Sequence, residues 1–205
     1  MTVLNRIAHL QGRRDEAPNQ ALASDLARKR DAAGIAEIAG GLRHADKQVR
    51  ADCIKVLYEI GETDPDLIAS YAPDFLHLLD SRDNRLVWGA ATALAAIAPV
   101  AAPELFKRWQ DIRRAVETGS VITQDNGVKA LALVAAAKPA YAQHIVPFLL
   151  EHLAGCRPKD APQRAEKVAA AVGPANRAAF AAVLDRRMAD LSAAQAARVR
   201  KVRQP

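Results

Sequence analysis

The chain has 205 residues, a net charge of +6 and a half-hydrophobic composition with only 4% aromatics. Its 45 alanines favour closely approaching helices, and runs of β-branched residues with period-two alternation are absent, which sets sheet folds aside. The longest apolar stretch, Ala90 to Ala102, is broken by Thr92 and Pro99 and is expected to be too short for a bilayer, so neither a membrane partner nor a signal peptide is expected.

In chain order, Val3, Leu4, Ile7 and Leu10 form an apolar stripe behind Thr2 and predict a helix near 2–11. Gly12 to Pro18 reads as a charged linker, followed by a helix near 18–31. Two series of helices then alternate. One runs near 34–44, 65–80, 103–118, 139–155 and 175–190, the other near 46–61, 83–98, 124–137 and 162–172. Ser192 and Gln195 form a capping box for a last short helix.

The alternation is a repeat. Pro65, Pro103, Pro139 and Pro174 follow one another at intervals of 38, 36 and 35 residues, a period typical of stacked helical hairpins. Asp46-Lys47-Gln48-Val49-Arg50 lies over Asp83-Asn84-Arg85-Leu86-Val87, each headed by an Asp placed to cap the helix. Val49, Cys53, Leu57 and Ile60 then match Leu86, Ala90, Leu94 and Ile97, stepping along one helix face. A third copy begins at Asp125-Asn126-Gly127-Val128 and a fainter one near Gln163-Arg164. In the other series Pro73 and Pro147 stand 74 residues apart and predict a kink inside two helices.

These units resemble HEAT repeats, in which a proline-kinked outer helix pairs with an inner helix opening Asp-x-x-Val-Arg, here Asp46 to Arg50. The Val-Arg pair becomes Leu86-Val87 and then Val128-Lys129 in later copies. The resemblance implies an all-α protein, a right-handed α-α superhelix of about five hairpins in a HEAT/armadillo-like solenoid. Capping helices are expected in 1–32, repeats in 33–190 and a basic C-terminal helix or tail in 191–205.

No catalytic, cofactor or metal site is expected. A GxSxG elbow, a glycine-rich phosphate loop and an HExxH helix are all missing. His9, His44, His77, His144 and His152 offer no i,i+4 pair of ligands. Cys53 and Cys156 lie about a hundred residues apart without a CxxC spacing, which points to free thiols in a reducing cytoplasm.

Solenoids of this kind bind partners on the concave side lined by their inner helices. On that face Asn84, Trp88 and Asn126, with Arg50 and Lys129, are the candidate partner-binding residues, since Trp and Arg are enriched at binding hot spots. The alternative has Trp88 filling space between inner helices and Asn84 extending the Asp83 cap. Charge is uneven: residues 46–156 carry −3 and residues 157–205 carry +7. A non-enzymatic module that binds a protein or peptide is the leading expectation, with a self-associating assembly scaffold as a variant. The alternative is nucleic-acid binding through the basic C-terminal end, or a repair enzyme similar to the alkylpurine DNA glycosylases. For the latter, Trp88, Trp109 and Asp111 are the only candidates for an aromatic cluster with an acid.

Overall fold

The computed structural model describes residues 2–203, and every regular element among them is helical. The chain divides into two compact units, Met1–Gly127 and Val128–Pro205. The first holds α1 (Ala17–Lys29), α2 (Ala32–Gly40), α3 (Lys47–Thr63), α4 (Ala72–Leu78), α5 (Asn84–Lys107), α6 (Trp109–Thr118) and the start of α7 (Val121–Ala137).

The two best copies fold as their spacing predicts. Asp46 accepts from the Gln48 N–H at 2.7 Å and Asp83 from the Arg85 N–H at 3.0 Å, so each opens its helix. Val49, Cys53, Leu57 and Ile60 are fully buried on α3, as are Ala90, Leu94 and Ile97 on α5. α3 packs against both α1 and α5, and α5 against α4. The approach of α3 and α5 is close because Gly89 has no side chain. A Cβ there would lie 2.8 Å from Cγ1 of Ile54 and 3.0 Å from its Cγ2.

A paired substitution tests this packing. Gly89→Ala is expected to cost roughly 1–3 kcal/mol by forcing α3 from α5. Gly40→Ala, where nothing lies within 4 Å, should gain up to about 1 kcal/mol from helix propensity. Urea unfolding of the two variants reads both signs.

Four boundaries differ from expectation, each for a local reason. Residues 2–11 form two 3₁₀ turns, Val3–Arg6 and His9–Gln11, because Ile7 is extended and Gly12 is left-handed at φ 67°. Their backbone donors go to distant side chains instead: Leu4 to Glu37 at 2.9 Å, Ala8 to Asn19 at 2.9 Å and His9 to Asp52 at 2.7 Å. Residues 65–71 likewise form 3₁₀ turns, so Pro73 sits in the first turn of α4 rather than at a kink. α7 begins at Val121, and Ser120 bonds to Thr123, so Asp125 lies inside the helix instead of capping it.

The fourth difference is the largest. α5 runs 24 residues, through Pro99 and Pro103, with its break in helical geometry at Ala101 (φ −115°, ψ 17°). Pro103 follows that break, where its missing N–H costs little. By length and composition alone Asn84–Lys107 would suffice to cross a membrane, but the break at Ala101 divides it into two shorter helical stretches. Its best window has a mean hydropathy of 1.6 and is 61% buried within the fold. Core packing accounts for its apolar character.

The second unit holds the rest of α7, α8 (Pro139–Gly155), α9 (Ala161–Val168), α10 (Arg177–Arg187) and α11 (Ala193–Arg203). Pro147 does lie inside α8. α8 packs against α9 and α10, and α9 against α11. The capping box at the head of α11 is formed: Ser192 N–H donates to Gln195 Oε1 at 2.9 Å, and Gln195 N–H to Ser192 Oγ at 3.4 Å. Arg187 donates to the Ala154 carbonyl at 2.6 Å and the Cys156 thiol to the Leu153 carbonyl at 3.3 Å, which satisfies the end of α8. Both thiols are free, and burial pushes the Cys53 thiol up to about 12.

Candidate functional site

In the first unit the chain between α1 and the N-terminal 3₁₀ turns crosses the face of α3 and leaves a cleft of about 420 Å³. α3 contributes Gln48, Ala51, Asp52 and Lys55, which share one helix face at spacings of three and four. α5 contributes Arg85 and Trp88, and the linker contributes Arg13, Arg14, Asp15 and Glu16.

Ion pairs hold the walls in place. The Lys55 side chain is 12% exposed and meets Glu16 at 3.0 Å and Glu59 at 2.5 Å. Burial works against its charge, but the two carboxylates outweigh it and raise the ammonium above its ordinary value. The same ammonium lies 4.9 Å from the centre of the Tyr58 ring, and that ring meets Trp88 at 5.9 Å in a tilted arrangement. Burial raises the Tyr58 phenol above its ordinary value. His9 binds Asp46 through Nε2 at 3.0 Å, and Asp46 is held below the usual carboxylate range mainly by the Gln48 N–H.

Three of the five sequence-derived residues come together on this side of the first unit. Asn84 is exposed in the first turn of α5, one turn before the half-buried Trp88. Asn126 donates to Thr92 Oγ at 2.9 Å, and Thr92 donates to the Trp88 carbonyl at 2.9 Å. One amide of Asn126 is thus engaged in joining α7 to α5. Arg50 is turned elsewhere, donating to the carbonyls of His44 at 2.7 Å and Ala45 at 2.9 Å, where it fastens the loop before α3. Lys129 is exposed in the second unit. Trp88 meets the Tyr58 ring and also lines the cleft.

Sequence reasoning missed Lys55, Glu16, Arg14 and Arg85. Glu16 and Lys55 are 39 residues apart, and nothing in a repeat marks which linker residue will fold back onto it. Asp111, considered as a catalytic acid, is clamped by Arg108 and by Arg114 at 2.8 Å. Burial opposes its charge, but these arginines lower its carboxyl overall. In the second unit an apolar groove of about 570 Å³ lies along α8, with Val146, Pro147, Leu150, Val172 and Pro174 in its lining.

No protein-family model and no curated protein matches the chain. Solved structures do. The designed armadillo repeat protein YIII(Dq)4CqI is 14% identical with a TM-score of 0.67, over 98% of each chain. The designed armadillo repeat protein YIII(Dq.V1)4CPAF, solved in complex with peptide (KR)4, is 15% identical with a TM-score of 0.63, over 90% of this chain and 87% of that one. Kap121p, solved bound to Ste12p, is 16% identical with a TM-score of 0.62, over 90% of this chain and 21% of Kap121p. The fold is thus the all-α, armadillo/HEAT-like helical repeat that the proline spacing indicates.

Proposed function

We propose that the chain is a non-catalytic interaction module that binds an extended segment of a partner protein in the cleft on α3 and α5. The observation that carries this reading is the placement of Trp88, half-buried, backed by Tyr58 and open to a cleft lined on α3 by polar side chains. Such an aromatic gives contact area at low entropic cost. Two fold neighbours were solved with a peptide or a protein bound, which supports a binding role in general. The clamped Asp111 weighs against a glycosylase-like enzyme, because its charge is already engaged by Arg108 and Arg114. A reducing compartment such as the cytoplasm belongs to the same proposal, on the ground of two free thiols.

The test is to pan displayed random dodecapeptides against the immobilised full chain and to measure the enriched peptides on Trp88→Ala. The variant should lose about 2 kcal/mol, roughly thirtyfold in affinity, with helicity unchanged. Equal binding by the variant would place the site elsewhere. A competing proposal gives the second unit a nucleic-acid role, since Arg186, Arg200 and Lys201 are exposed without a carboxylate partner among the described residues. Failure to shift duplex DNA at low salt would end it, because phosphate contacts are strongest there.

A further inference from the structure

We infer that the segment held in this cleft is acidic, an extended stretch of a partner protein whose Asp or Glu carboxylates flank an apolar residue. The inference rests on the binding role proposed for the cleft and adds the sign of its occupant. It follows from which charges the fold has already used.

Two of the three lining carboxylates are ion-paired, and the third, Asp52, is bound by a backbone N–H. Asp15 pairs with Arg13 at 2.9 Å, Glu16 with Lys55 at 3.0 Å, and Asp52 accepts the His9 N–H at 2.7 Å. The acids just beyond the lining are engaged as well, Glu59 by Lys55, and Asp46 by the Gln48 N–H and His9. Two lining cations are left over. Arg14 is exposed and has no carboxylate partner among the described residues, and Arg85 meets only the neutral amide of Gln48 at 3.3 Å. Both line the same cleft as Trp88.

A guanidinium without a partner is a ready site for a carboxylate, which it can hold through two parallel N–H bonds. A basic occupant finds only Asp52 without a cation, already bound to the His9 N–H, and to meet any other lining acid it would have to break an existing pair. The basic peptide of one fold neighbour does not argue otherwise, because at 15% identity the likeness extends to the fold alone. Trp88, adjoining these cations, supplies the apolar platform for the residue between the carboxylates.

The peptide pools selected on the full chain test this directly. Enriched dodecapeptides should carry net negative charge. The double variant Arg14→Glu/Arg85→Glu, both positions exposed and checked for unchanged helicity, should weaken their binding by roughly tenfold at low salt, with less loss at high salt. Basic or neutral pools that still depend on Trp88 would overturn the charge assignment and leave the binding module intact. Acidic pools bound equally by the double variant would overturn it too. Selection of no peptide at all, or tighter binding of a single-stranded oligonucleotide than of any selected peptide, would overturn both.

Discussion

Leu94→Ala is expected to destabilise the chain by about 2–5 kcal/mol, lowering its melting temperature by roughly 5–15 °C. Leu94 is fully buried on α5, on the stripe that also holds Ala90 and Ile97. Truncation removes transfer energy and leaves a cavity that a close-packed interior fills only in part. In a repeat fold each hairpin depends on its neighbours, so hydrogen exchange should rise first in α3, α4 and α5. Leu10→Ala is the control: that side chain is 45% exposed, and its loss should cost less than about 0.5 kcal/mol. Differential scanning calorimetry reads both variants. A shift at Leu94 no larger than at Leu10 would mean that α5 is not a core helix, and its apolar length would need another explanation.

The second large effect is expected in the other unit. Arg164 is 1% exposed, the largest fully buried side chain among the described residues, and is hydrogen-bonded to His152. Arg164→Ala empties that volume and removes the donors that meet half-buried His152, so a loss of about 3 kcal/mol or more is expected. Arg164→Met, which keeps most of the volume without the charge, should recover a large part of the loss if packing dominates. It should recover little if the hydrogen bonds dominate. Chemical denaturation of the two variants separates these contributions, and a neutral Arg164→Ala would contradict the buried placement.

Arg164 also shows where sequence patterns stop informing. The +7 of residues 157–205 reads as a basic surface, yet Arg164 and Arg187 are buried and Arg198 and Arg203 are paired with Glu166 and Asp185. Charge counted along a chain carries no information about depth. Periodicity does, because a side chain's phase on a helix decides its face: hence Val49, Cys53, Leu57 and Ile60 are legible as core. Caps are legible for the same local reason, as at Asp46, Asp83 and Ser192.

What was not legible depends on distant partners. The first residues prefer 3₁₀ turns because Glu37, Asn19 and Asp52 take their backbone donors, and no local signal announces those bonds. Arg50 matches a repeat motif and was a candidate for partner contact, but its guanidinium reaches the two carbonyls just before its own helix. Trp88 was identifiable as exceptional on its face. Its backing by Tyr58, which Lys55 meets in turn, and the cations beside it required the fold.

Binding is proposed on the face of α3 and α5 that presents Trp88. Two-dimensional amide and indole NMR of the full chain, titrated with a peptide selected on it, tests this most directly. The largest shifts are expected at the Trp88 indole and the amides of Gln48, Lys55 and Arg85, with Trp109 unmoved. Shifts confined to residues 177–203, with the Trp88 indole unchanged, would contradict it.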